Sequence, residues 1–271
     1  MIQFLVRYRP ISFDEMDKCM ADIDNRENTT EIESMPPLGA RLGEGIFCII
    51  YLIYVIVIFF IMMYKYRHIP ISDHATPTYN RYGFGYMMAF LLFIGDAFHL
   101  VPRILVCFKG SIWKQELFLG VGSLLSSITM TLYYNVLMAM GDTLEYHESM
   151  YNYSVEGAIL ILTTIRIILL LFPQNKWFSR EPVRKWAIIR NVPFILIGLL
   201  TVYGFIKVIS YDYNMPVSFY VIIIITVILS FAFYLPVAIM AKEKPKLGML
   251  MVPKTICYMV MLGVNCFYKM F

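Results

Sequence analysis

Residues 46–64 read IFCIIYLIYVIVIFFIMMY, nineteen positions without a charge, a proline or a glycine. A helix needs roughly 20 apolar residues to cross a bilayer core of about 30 Å, so this one stretch already points to a transmembrane span. Working outward, comparable apolar runs lie near 84–108, 117–140, 155–172, 187–208, 217–241 and 250–268. Between them stand the punctuation marks of loops: Pro70 and Pro77 with Asp73 and Asn80, Lys109–Gly110, Gly141–Asp142 through Tyr153, Pro173–Gln174–Asn175 with Pro182, Tyr211 through Pro216, and Lys242 through Lys246. In hydrocarbon each backbone amide must find its partner within its own segment, which makes helices the reading of runs this long. The expectation is an all-α polytopic transmembrane helix bundle of about seven spans. A polar N-terminal tail, 1–45, precedes a transmembrane domain, 46–271.

Composition agrees. The 271 residues are 59% hydrophobic and 15% charged, with a mean hydropathy of +0.65. Soluble domains are typically about 45–50% apolar and about 25% charged. A soluble enzyme, a disordered chain and a nucleic-acid-binding protein are thereby excluded. Five scattered cysteines, four of them in or beside apolar runs and Cys19 in the tail, do not make a disulfide scaffold or a metal-ligand spacing. The opening Met1–Val6 is too short for the apolar core of a signal peptide, and the region from Phe4 to Met16 suits a short amphipathic stretch at a surface.

Charge is unevenly placed. Residues 1–45 hold five basic residues (Arg7, Arg9, Lys18, Arg26, Arg41) against nine acidic, a net of −4, while residues 46–271 carry a net of +8, giving the chain its +4. By the positive-inside rule, a cytoplasmic N-terminus puts Lys109, Lys114, Lys176, Arg180, Arg184, Lys185, Lys242, Lys244 and Lys246 inside. The opposing loops, with Asp142, Glu145, Glu148 and Asp212, then hold no Lys or Arg, except the first, where Lys65, Arg67 and Arg81 disagree. Trp113, Trp177 and Trp186 fall on the expected inner side, and Tyr211 and Tyr213 on the outer. The expected location is integral to the plasma membrane with a cytoplasmic N-terminus. Sequons occur at Asn28 and Asn152, and only the second would face outside.

Ionisable groups within spans are costly, from about 2.5 to over 10 kcal/mol at the bilayer centre, and so direct attention to function. The second span holds Asp96, His99 and Arg103 at i, i+3 and i+7, on one helical face. A carboxyl and an imidazole on one stripe suit a proton-relay or acid–base site; a polar stripe joining helices, with Arg103 snorkelling, uses the same residues. Arg166 in the fourth span and Lys254 in the seventh lie, like Arg103, five or six residues from the inner helix ends, a common depth of roughly 8–9 Å. The three cations suggest an anion site for a lipid phosphate, or three separately snorkelling side chains. In the third span Ser123, Ser127 and Thr131 recur every four residues, with Ser126, Tyr134 and Asn135 nearby, a pattern of close helix packing. No nucleophile elbow, phosphate loop or zinc spacing is present. His68, His74 and His147 fall in loops.

The Gly95–Asp96 element, with the apolar helix from Leu91 to Leu100 around it, resembles the Gly-Asp helix of the YhhN-like lysoplasmalogenase family. After a basic loop, Phe118–Leu119–Gly120 opens a helix ending in Tyr133–Tyr134, similar to the helix that follows in that family. The likeness covers about fifty residues. It implies a multi-pass membrane enzyme that hydrolyses the vinyl-ether bond of lysoplasmalogens, with Asp96 as an acid/base or water-positioning carboxylate. The family carries a second intramembrane Asp in a late helix and usually eight helices; the sixth span here, Phe219 to Ala241, has no acidic residue.

Three function classes follow. A lipid-active hydrolase would use Asp96 and His99 for proton transfer, with Arg103, Tyr134, Arg166 and Lys254 binding a phospholipid or lysophospholipid. A small-molecule or ion transporter would exchange protons through an Asp96–Arg166 pair. A receptor or accessory protein would hold the same pair as a structural link. No cofactor or metal is expected; the partners expected are the bilayer and such a lipid, and not nucleic acid.

Overall fold

The computed structural model describes residues 38–73, 76–109, 115–143, 153–177, 184–210, 216–240 and 245–268. Among them are seven helices: α1 Leu38–Arg67, α2 Pro77–Lys109, α3 Gln115–Thr143, α4 Tyr153–Leu171, α5 Arg184–Ser210, α6 Val217–Met240 and α7 Met251–Phe267, with a 3-10 turn Pro245–Leu250 leading into α7. Six of these are long and apolar enough to cross a membrane. The exception, α4, has 19 residues and an axial length of about 28 Å. The protein is an all-α polytopic bundle of about seven spans. By internal contacts it divides into residues 1–43 and residues 44–271. The Phe4–Met16 stretch, Cys19, His74, Trp113, His147, both sequons and the Tyr211–Met215 loop lie outside the described residues.

Helix α1 shows why such a bundle belongs in lipid. Cys48, Tyr51, Val55, Ile58 and Met62 recur at alternating spacings of three and four, and are buried. The other face presents Ile46, Ile49, Ile50, Ile53, Val57 and Phe60, all exposed. Helix α4 repeats the pattern with Leu160, Ile161, Ile165 and Ile168 outward. Continuous apolar faces turned outward on several helices would be untenable in water and are the normal surface in hydrocarbon.

The most extensive helix contact is α2 on α3; α4, α5, α6 and α7 then pack as successive neighbours, α3 also meets α5, and α2 meets α7. Buried Tyr51, Met88, Leu92, Tyr133, Tyr134, Phe194, Phe205, Phe219, Tyr220, Tyr258 and Met261 belong to one apolar core. Helix α1 joins this body through side chains. Tyr54 donates to the Met259 carbonyl at 2.9 Å, and Tyr66 and Tyr79 share a 2.5 Å hydrogen bond.

Two cations that disagreed with the charge rule have structural work. Lys65 Nζ donates to the Cys266 carbonyl at 2.8 Å, and Arg81 Nη1 to the Tyr268 carbonyl at 3.0 Å. Both carbonyls belong to the C-terminal end of α7, where the last carbonyls lack intrahelical donors and the helix dipole favours positive charge. Tyr82 lies under both cations. Lys65→Met removes one charged donor from this end and is expected to lower stability by about 1–3 kcal/mol. Thermal unfolding in maltoside detergent checks it: an unchanged Tm would mean that the contact contributes nothing.

Candidate functional site

The polar site grows from an unusually close approach of α2 and α3. A Cβ built on Gly122 would stand 2.4 Å from the Phe98 carbonyl oxygen and 2.6 Å from the His99 Cα, and one on Gly95 would stand 1.8 Å from Thr129 Oγ1. Only hydrogen fits at either place. Pro102, inside α2, has no N–H to give the carbonyl of Phe98 four residues earlier, and Gly122 packs against that carbonyl. With the backbones this near, short side chains reach across.

Asp96 is where they meet. Tyr51 of α1, 1% exposed, donates its phenol O–H to Asp96 Oδ2 at 2.5 Å. Ser126 of α3 donates to Oδ1 at 3.1 Å. Hydroxyls are donors and acceptors at once, so this setting can hold the carboxyl with or without its proton. One turn on, His99 Nδ1 lies 3.3 Å from Ser123 Oγ. Ser123 gives its own proton to the Leu119 carbonyl at 2.7 Å. The network thus assigns the Nδ1 proton to the His99–Ser123 contact and leaves Nε2 as the lone-pair nitrogen. Ser127 and Thr131 bond carbonyls four residues back on their own helix; of the hydroxyl stripe, only Ser123 also reaches across, and Ser126 beside it supplies the bond to Asp96.

The anticipated cations separate. Arg103 pairs through Nε with Glu44 of α1, the one ion pair among the described residues. Arg166 does not pair with Asp96. It is 1% exposed, its guanidinium carbon stands 3.4 Å from the centre of the Phe194 ring, and that ring meets Tyr234 edge-on at 5.7 Å. Lys254, 7% exposed, lies over the rings of Tyr234 and Tyr258 at 4.8 and 5.4 Å. It is also within electrostatic reach of both Asp96 and His99. Tyr134 is buried beneath this group, sharing a 2.8 Å hydrogen bond with Ser230 and packing edge-on against Phe194. Tyr234 in turn donates to Asn191 Oδ1 at 3.0 Å.

Sequence reasoning missed four participants. Tyr51 and Glu44 lie on one face of α1, seven residues apart, so carrying the buried heptad pattern back from Met62 finds both; placing the tail boundary at 45 put Glu44 outside the helix that contains it. Arg190 stands inside the expected 187–208 span, the signal that picked out Arg166. Tyr234 gave no signal of its own, because tyrosines are common throughout this chain.

An all-α bundle with a polar interior of this kind defines the class: a multi-pass integral membrane protein. No protein-family model matches the chain, and no curated protein or solved structure matches it.

Gly122→Ala forces α3 away from α2 and is expected to cost about 1–3 kcal/mol while breaking the Ser126–Asp96 contact. Gly157→Ala in α4, where a Cβ meets nothing within 4 Å, is the control and should be neutral or slightly stabilising. Equal Tm values for the two variants would mean that the close approach is not needed.

Proposed function

We propose that this membrane protein is a lipid-active hydrolase whose acid–base pair is Asp96 and His99, acting on an ether-linked lysophospholipid in the manner that the resemblance to lysoplasmalogenases implies. The observation that carries the reading is the Asp96 carboxyl itself. It is half-buried among apolar helices, held by two hydroxyls, with an imidazole one turn along the same face.

Vinyl-ether hydrolysis needs little else. A proton is delivered to the outer vinyl carbon, which Asp96 supplies. The positive charge that results is shared between the inner carbon and the ether oxygen. Water, losing its proton to His99 Nε2, adds its oxygen to that inner carbon. The hemiacetal then breaks its bond to the glycerol oxygen, which takes the proton held by His99, while the hemiacetal hydroxyl gives its proton to the Asp96 carboxylate; an aldehyde and a free hydroxyl leave and both side chains return to their starting state. One water is consumed. Tyr51 and Ser126 keep the carboxyl oriented through both protonation states. Tyr134, Arg166 and Lys254 would line the headgroup side; Arg103, already paired with Glu44, would take part only by exchanging that partner.

The same reading places the N-terminus in the cytoplasm of a plasma-membrane protein. Two of the three cations opposing that orientation, Lys65 and Arg81, are occupied by the carbonyl end of α7, which supports setting them aside when loop charges are compared.

Turnover in maltoside micelles against lysophospholipids with vinyl-ether, alkyl-ether and ester chains tests the proposal. Wild type should release aldehyde from the vinyl-ether species. Asp96→Asn should lower kcat by about a hundredfold or more while eluting as a monodisperse species. Absence of turnover by wild type, with Asp96→Asn merely melting at lower temperature, would make Asp96 a structural group and overturn the enzyme reading in favour of transport or an accessory role.

A further inference from the structure

Arg166, Arg190 and Lys254 come from three helices, α4, α5 and α7, and gather around Tyr234 of α6. Arg166 lies over the Phe194 ring, which meets the Tyr234 ring edge-on at 5.7 Å; Lys254 stands over the Tyr234 ring; and Arg190 lies one turn before Phe194 on α5 and next to Asn191, which accepts the Tyr234 phenol proton. Among the described residues no carboxylate pairs with any of the three. Each is instead held over an aromatic face: Arg166 over Phe194 at 3.4 Å, Arg190 over Trp177 at 4.2 Å and Lys254 over Tyr234. Arg190 also donates to Asn175 Oδ1 at 3.0 Å, and Asn175 is fixed by donating to the carbonyls that end α4. Arg166 is the least satisfied. Its Nε and Nη1 are buried without a hydrogen-bond partner.

Like charges on neighbouring helices repel, more strongly where water is scarce, and an anion between them relieves that repulsion. A ring face attracts a cation, yet more weakly than an anion that accepts its N–H bonds. We propose that Arg166, Arg190 and Lys254 form a binding site for a phosphate group, with the rings of Phe194, Trp177 and Tyr234 holding the cations while the site is empty. A tetrahedral phosphate has enough acceptor oxygens to take the two orphan donors of Arg166 together with bonds from Arg190 and Lys254. Arg190 thereby replaces Arg103, which Glu44 neutralises, as the third cation of the site. The site deepens the proposed hydrolase reading, in which Arg166 and Lys254 line the headgroup side, and adds Arg190 to it; binding at these cations nonetheless requires no turnover at Asp96. Its phosphate could belong to a lipid headgroup or be free in solution, and the two are told apart by titration.

The full chain in maltoside micelles, which contain no phosphate, is titrated separately with lysophosphatidic acid, with inorganic phosphate and with monoacylglycerol. Intrinsic tryptophan fluorescence and Tm are followed together. Binding draws Arg190 off Trp177 and so changes the fluorescence while raising Tm. Saturation by lysophosphatidic acid alone identifies a lipid headgroup site, and saturation by inorganic phosphate with equal affinity identifies a free-phosphate site. Arg190→Gln and Lys254→Gln should each weaken binding by about tenfold or more, and Arg166→Met should abolish it while leaving the ligand-free protein at least as stable as wild type. Asp96→Asn should bind as wild type does, so that loss of catalysis and loss of binding are separate results. No response to either phosphate ligand, an equal response to monoacylglycerol, or unchanged affinity in the folded Arg190→Gln and Lys254→Gln variants would overturn the proposal.

Discussion

The backbone contact between α2 and α3 is the constraint on which the polar interior depends. Gly122 lies against the Phe98 carbonyl, and Gly95 against Thr129, at separations that admit no side chain. Serine side chains are short. They can reach a carboxylate and an imidazole on a neighbouring helix only if the two axes are drawn together, and small residues at the crossing permit this in a membrane, where apolar attraction between helices is weak. The Ser126–Asp96 and Ser123–His99 contacts are therefore consequences of two missing side chains, and α1 completes the setting with a single long reach from Tyr51.

Around that contact the bundle handles the charges on its helices in four ways. Asp96 is given hydroxyls. Arg103 is given the Glu44 carboxylate. Lys65 and Arg81 are given carbonyl oxygens at the end of α7, an arrangement that also completes a helix terminus. Arg166, Arg190 and Lys254 are given aromatic faces, which compensate charge least. A buried cation with a carbonyl or carboxylate partner is a sufficient structural device in itself. The ring-held cations are different in kind, and the unpartnered Nε and Nη1 of Arg166 mark where the interior is incomplete.

Lys254 connects the two regions. It stands on the first turn of α7, over rings that belong to the cation cluster, and its charge is felt at Asp96 and His99. The vinyl-ether reading of the site and the phosphate reading of the cluster meet at this one side chain, though each rests on its own observations.

Most of the fold was legible in the sequence. The expected span 217–241 is the helix Val217–Met240, and 117–140 lies within Gln115–Thr143, because a bilayer demands long uncharged runs whose edges are charges and prolines. Helix ends were less legible: α1 starts at Leu38 and so takes in Glu44, since a polar residue on a helix's buried face looks in sequence like part of a tail. That Asp96, His99, Arg166 and Lys254 are unusual also followed from sequence alone, from the energy of placing such groups in hydrocarbon. Which of them meet did not. Pairing depends on how each helix is rotated about its axis and on which helices touch, and hydropathy is blind to both. Only the tertiary structure gave Arg103 to Glu44, laid Arg166 over Phe194, and set Tyr51 and Ser126 on Asp96.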